Sequence, residues 1–256
     1  MALEVKNITF SYNGGLLLED ASVAFEKSQI YAIIGPNGAG KTTFLKIVLS
    51  LLKPQSGDVF YEGKNLKSLT YLQKAKIFSY LPQMPVYSQE DKLWEVVKRG
   101  DYPHRRIPPP PRSLSLRKEI AEQYLELKNM WERKMSTLSG GEIQRGVIAR
   151  VVIQDTPVMV FDEPLNHLDL SHRLKLFELF QKMKNEGKTI IYAVHDFNIS
   201  LEYNHKIFLI QKGGALKQLN NREEEVKEIL KETYGVDFKT AKTDDKYYYF
   251  PFKRKE

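Results

Sequence analysis

A chain of 256 residues can form one large domain or a domain with a subdomain, and 42% hydrophobic with 28% charged residues excludes disorder. The absence of cysteine excludes disulfides and thiolate metal sites; no apolar window of about 18 residues occurs, and the first ten residues lack the blocks of a signal peptide, so neither a membrane span nor export by that route is expected. The net charge of +7 suits nucleotide phosphates, nucleic acid or anionic lipid, but its basic stretches, 98–117 and 253–255, lack interleaved aromatics, so no nucleic-acid partner is expected.

In chain order, residues 3–12 and 21–25 alternate as a pair of antiparallel strands with a turn near Asn13, Gly14 and Gly15. Tyr12 at the end of the first is open to two readings, a ring stacked on a purine or a half-buried strand-end tyrosine. Residues 29–34 then read as a buried strand and 43–52 as a helix, and between them stands GPNGAGKTT, which fits G-x-x-x-x-G-K-[ST]. Strand, glycine-rich loop and helix together point backbone N–H groups at one spot, which is what a polyphosphate needs. Gly35, Pro36, Asn37, Gly38, Ala39, Gly40, Lys41, Thr42 and Thr43 are therefore expected to bind a nucleotide's polyphosphate, with Lys41 on the β- and γ-phosphates and the Thr42 hydroxyl on Mg²⁺.

A break at 53–57 is followed by a strand at 58–61, a short helix at 70–77 and a strand at 78–81. Gln83 just after it can reach a metal ion or an attacking water, although a lone loop glutamine is usually solvated. Residues 85–134 change character: helical turns at 94–99, four prolines at 108–111 as an extended spacer, and a helix at 116–127. LSGGE at 138–142 opens the next helix, and Ser139, Gly140 and Gly141 make either a second anion-binding terminus, suited to a partner chain's nucleotide, or a plain cap.

The strand 158–161 ends in Asp162 and Glu163. Acids there are costly to bury unless a cation compensates, so Asp162 is read as a Mg²⁺ ligand and Glu163 as general base for a water. A loop, Asn166 to Asp169, leads to a helix at 171–184. The strand 189–194 ends at His195, which can donate to a γ-phosphate or, on its own merits, cap a helix. The other histidines, His104, His167, His172 and His205, show no metal-ligand spacing. A hairpin across Gly213 and Gly214, a helix at 222–231 and an irregular or strand-like tail at 234–252 complete the chain.

This set resembles the ATP-binding subunit of ABC transporters over about residues 3–219, with an aromatic before the loop (Tyr12), Walker A (35–42), Q-loop (Gln83), signature (138–142), Walker B (158–163), D-loop (166–169) and switch His195 in the family's order. The resemblance implies an α/β fold: a P-loop core with a mixed sheet, an antiparallel β edge and a helical subdomain. It divides the chain into an ATP-binding core (1–84 and 135–220), a helical subdomain (85–134) and a C-terminal helix and tail (221–256). It also implies ATP hydrolysis with Mg²⁺, held by Thr42, Asp162 and Gln83, with Gln83, Glu163 and His195 catalytic.

Two cassettes, as a homodimer, would face each other, each nucleotide lying between Walker A of one and Ser139, Gly140 and Gly141 of the other, with Asp169 relaying across. The helical subdomain would dock on membrane permease subunits, an extracytoplasmic binding protein would act indirectly, and the chain would sit peripherally on the cytoplasmic face of the membrane. GDYPH at 100–104 and the wording of 154–170 look like the importers of iron–siderophore complexes, haem or cobalamin, whereas Leu165, Ile143, Gly146 and the four prolines depart from them. The alternatives are a soluble ABC ATPase without permease, for DNA repair, translation or Fe–S assembly, and a small-molecule kinase or GTPase. The first usually has two cassettes or a long coiled-coil insertion; the second lacks LSGGE, and no N-K-x-D motif for guanine occurs.

Overall fold

The computed structural model describes residues 2–12, 14–104, 114–196, 198–203, 205–219, 223–243 and 246–252. Asn13, the 108–111 prolines, Arg222 and the basic end at 253–255 lie outside the described residues. The chain divides into two compact units, Met1–Ser68 with Ala193–Glu256, and Leu69–Tyr192. The segment 85–134 falls wholly inside the second unit and 221–256 inside the first.

In chain order the first stretch holds β1 (Leu3–Tyr12), β2 (Gly15–Phe25), β3 (Ile30–Ile34), α1 (Lys41–Val48), β4 (Ser56–Tyr61) and β5 (Lys64–Asn65). Next come α2 (Tyr71–Ile77), β6 (Phe78–Leu81), α3 (Leu93–Val97), α4 (Leu114–Leu125), α5 (Gly140–Gln154), β7 (Val158–Asp162), α6 (Leu170–Asn185) and β8 (Thr189–Ala193). The chain ends with α7 (Asn198–Glu202), β9 (Lys206–Ile210), β10 (Leu216–Leu219), α8 (Glu223–Tyr234), β11 (Asp237–Thr243) and β12 (Lys246–Phe252).

In the first unit β1 is central to a sheet ordered β2-β1-β4-β5, antiparallel to both neighbours, with Leu3 opposite Phe25 and Tyr61. Leu3 and Val5 are buried in one period-two phase and Ile8 and Phe10 in the other, the phase changing at an irregularity around Asn7, whose φ is 52°. All five residues of β3 are buried, which suits its near-continuous apolar composition, and β3 runs parallel to β9 with Ile34 opposite Leu209. Because β9 is antiparallel to β10, the sheet is mixed, and the turn at Gly213 and Gly214 makes the expected hairpin. The tail is better ordered than its sequence suggests: β11 and β12 form a second hairpin, with Phe238 and Tyr249 buried.

In the second unit β6 and β7 are parallel, with Leu81 opposite Phe161, and β8 lies on the other side of β7. Phe161, Phe177, Phe180 and Tyr192 interlock beneath α6 with centroid distances of 4.9–5.8 Å. The GDYPH stretch lies in a 3₁₀ helix whose form follows from packing: a Cβ on Gly100 would sit 2.3 Å from the Arg150 carbonyl, and His104 Nε2 lies 2.7 Å from the Gln154 carbonyl. Arg117, 1% exposed, is tied to Asp101 at 2.7 Å and donates to the Ile153 carbonyl, which compensates the burial of its charge.

Candidate functional site

In the first unit lies the loop between β3 and α1. Gly35 has φ +153°, and a Cβ there would meet the Ile210 carbonyl at 2.7 Å, so the chain can turn out of the strand only with glycine. Gly38 and Gly40 also have positive φ, and Gly40 caps α1, whose first residue is Lys41. This leaves the loop, 35–40, feeding straight into a helix N-terminus, the arrangement that favours an anion. The Lys41 side chain is buried and folds back across the loop, its Nζ donating to the Gly35 carbonyl at 2.8 Å and the Pro36 carbonyl at 3.2 Å. Thr43 is buried beside it, while Thr42 is partly exposed. Tyr12 ends β1 with its ring 52% exposed and packed edge-on against Phe10 at 4.8 Å. His195, exposed, follows Val194, whose N–H donates to the Ile33 carbonyl at 3.1 Å, so its segment runs beside the strand that carries the loop.

In the second unit lie the acids, the glutamine and the signature. Asp162, the last residue of β7, is 1% exposed. Burial, reinforced by the Asp162 charge, pushes the Tyr80 phenol well above its usual range. Glu163 takes a left-handed backbone, φ 55°, which turns its side chain off the strand axis at a cost of about 1 kcal/mol. Its Oε2 accepts from Gln83 Nε2 at 3.2 Å and from Asn166 Nδ2 at 2.9 Å. Gln83 and Glu163 are thus brought together, with one Gln83 amide hydrogen committed to the carboxylate. Asn166 was not among the expected site residues, nor was Gln144, which is buried and donates to the Pro164 carbonyl at 3.0 Å, fixing the turn after Glu163. Single amides carry no pattern of their own; the signals available were the i+3 spacing of Asn166 from Glu163 and the place of Gln144 within the helix that follows the signature.

Ser139 caps α5 reciprocally: its Oγ accepts from the Glu142 N–H, and its own N–H donates to Glu142 Oε2 at 2.7 Å. That backbone hydrogen bond, with Arg133 at 2.9 Å, holds the Glu142 carboxyl below its ordinary range. Gly140 and Gly141 pack against the D-loop: a Cβ on Gly141 would lie 2.9 Å from the His167 carbonyl and one on Gly140 3.8 Å from the His167 ring. Asp169 caps α6, accepting from the His172 N–H at 2.9 Å and the Ser171 hydroxyl at 2.9 Å, which lowers its pKa to about 2. Among the described residues no three His, Asp or Glu side chains cluster to hold a metal by themselves. Mg²⁺ fits such a donor set because it is commonly bound through one carboxylate or hydroxyl plus phosphate oxygens. Among the described residues no helix is long and apolar enough to cross a membrane.

The family model described as ABC transporter matches residues 18–166. The petrobactin import ATP-binding protein YclP of Bacillus subtilis is 32% identical over 241 residues, covering 91% of this chain and 93% of that protein. The iron(3+)-hydroxamate import ATP-binding protein FhuC of the same organism is 30% identical over 241 residues, covering 92% and 88%. Among solved structures, an ATP-binding subunit of an ABC transporter superposes with a TM-score of 0.79 at 23% identity, covering 92% of this chain and 98% of that one. The ATP-binding cassette MJ0796, in a dimeric post-hydrolysis state bound to ADP and Pi, gives 0.73 at 24% identity, covering 86% and 100%.

Proposed function

The chain belongs to the ABC transporter family as an ATP-binding, ATP-hydrolysing subunit, and we propose that it energises an importer of an iron–siderophore complex or a related haem or corrinoid. The observation that carries the reading is the pairing of Glu163 with Gln83 and Asn166 at the end of β7, in a chain whose relatives are named for the import of petrobactin and ferric hydroxamates.

In this reading the loop residues Gly35–Thr43 cradle the phosphates, Lys41 releases the Gly35 and Pro36 carbonyls to reach them, and Tyr12 stacks on the base. Thr42, Asp162 and the Gln83 amide oxygen are the groups that would hold Mg²⁺, which when bound neutralises phosphate charge. The Glu163 carboxylate, held by Gln83 and Asn166, takes the proton of the attacking water, and His195 donates to the γ-phosphate. Ser139, Gly140 and Gly141 of a second copy clasp the nucleotide from the far side, and Asp169 relays between copies. The residues 1–84 with 135–220 act as the ATP-binding core, 85–134 as the helical subdomain that docks on a membrane permease, and 221–256 as the C-terminal extension. An extracytoplasmic binding protein then serves the permease rather than this chain, which sits peripherally on the cytoplasmic face.

The test is reconstitution with its permease in proteoliposomes, offering ferric petrobactin, ferric hydroxamate, haem and cobalamin in parallel. ATP-driven accumulation of one of these supports the reading. Accumulation of none, with ATPase activity intact, contradicts it.

A further inference from the structure

The C-terminal hairpin is the part of the chain for which the nucleotide chemistry has no use, and it grips the segment that carries His195. Asp196 Oδ1 accepts the Asn198 N–H at 3.1 Å, which satisfies that backbone donor and leaves the Asn198 side chain for another task. That task is a reciprocal pair with the backbone of β12: Asn198 Nδ2 donates to the Tyr249 carbonyl at 2.9 Å, and Asn198 Oδ1 accepts the Tyr249 N–H at 2.9 Å. A carboxamide facing one residue in this way repeats the exchange between opposed residues of an antiparallel ladder, and two parallel bonds fix rotation as well as distance. At the other end of α7, Glu202 accepts from the Tyr248 hydroxyl and pairs with Lys246, so β12 holds the short helix at both ends.

The hairpin is a firm anchor. Tyr249 and Phe238 are buried, the Phe238 ring meets Tyr234 of α8 at 6.1 Å, Lys231 pairs with Asp237 at 2.7 Å, and Thr240 donates to Glu223. Upstream, the Val194 N–H is bonded to Ile33 at 3.1 Å. His195 therefore lies between two fixed points of the chain, Val194 bonded to β3 before it and Asn198 bonded to β12 after it.

We propose that Asn198 is a positioning residue for hydrolysis, and that the β11–β12 hairpin acts through it to set the place of His195. The inference rests on the role assigned to His195 above. A group that must meet a phosphoryl oxygen loses about a hundredfold in rate for a misplacement of about 1 Å, and a segment released at one end but still held at the other drifts by a part of that.

The experiment is a double-mutant cycle on the full chain, with kcat and KM for ATP measured for the wild type, His195→Ala, Asn198→Ala and the double variant, alongside thermal melting. Asn198→Ala is expected to lower kcat about tenfold with KM within about twofold, and the double variant to be no slower than His195→Ala alone, because both act through one group. Wild-type kcat in Asn198→Ala, or a double variant slowed by the product of the two single effects, overturns the inference while leaving His195 in its role. Wild-type kcat in His195→Ala overturns the underlying reading instead. Should Asn198→Ala melt far below the wild type, Asn198→Asp, which keeps the acceptor facing the Tyr249 N–H, carries the same cycle: lowered kcat without additivity supports the inference, and unchanged kcat overturns it.

Discussion

Replacing Glu163 with glutamine exchanges one carboxylate oxygen for an amide NH₂ and removes the negative charge. In the wild type, Oε2 accepts from Gln83 at 3.2 Å and from Asn166 at 2.9 Å. A glutamine can turn its amide oxygen to the same two donors, so both hydrogen bonds survive and the left-handed backbone at φ 55° is unaffected. What is lost is a proton acceptor at the other oxygen. General-base catalysis is worth about 10² to 10⁴ in rate, or about 3–5 kcal/mol of barrier. Phosphate release at saturating ATP should therefore fall by about 10² to 10⁴ in Glu163→Gln, with ATP affinity within about threefold of wild type and an unchanged melting temperature. Turnover within about threefold of wild type, in protein shown to bind ATP, would refute the assignment of Glu163 as base.

Gly35→Ala places a Cβ 2.7 Å from a backbone carbonyl at a φ that alanine resists, and ATP affinity measured by calorimetry should fall more than about tenfold, because the loop must shift to relieve the contact. Arg117→Leu leaves the Ile153 carbonyl and Asp101 without their buried donor, and denaturant titration should show a loss of about 2–4 kcal/mol. The Asp169 cap has a pKa lowered to about 2, so its stabilisation of α6 is complete above the unfolded value of about 3.9 and is lost as pH falls toward about 2. The difference in denaturation midpoint between wild type and Asp169→Ala should therefore be constant above pH about 4 and narrow below it; a difference that grows on acidification contradicts the capping account.

The phosphate loop and the β7 acids were readable in the sequence because each joins two signals: a run of buried-strand residues, and a residue set whose placement at a strand end is costly without a phosphate or a cation. Gly35 and Asp162 carry their meaning in their neighbours. Asn166, Gln144 and Asn198 do not, because a single amide becomes informative only when the fold supplies its partner, 51 residues away in the case of Asn198 and Tyr249. The tail illustrates the same limit. The YYYFPF run of β12 has aromatics on both faces and a proline near its end, so period-two alternation is lost, and its hairpin is defined by packing on α8 and α7. Helix ends moved for local reasons: α5 begins at Gly140 because the Ser139–Glu142 cap closes its first turn, whereas the apolar spacing marks only the residues from Ile143 onward.

The account turns on ATP being held between two copies, by the Walker A loop of one and Ser139 of the other. Glu163→Gln protein, mixed with ATP and Mg²⁺ and weighed by light scattering coupled to size-exclusion chromatography, should run as a dimer that reverts to monomer when ATP is omitted or when Ser139→Arg is added. A monomer at every ATP concentration that saturates binding, or a dimer indifferent to both ATP and the Ser139 substitution, would contradict it.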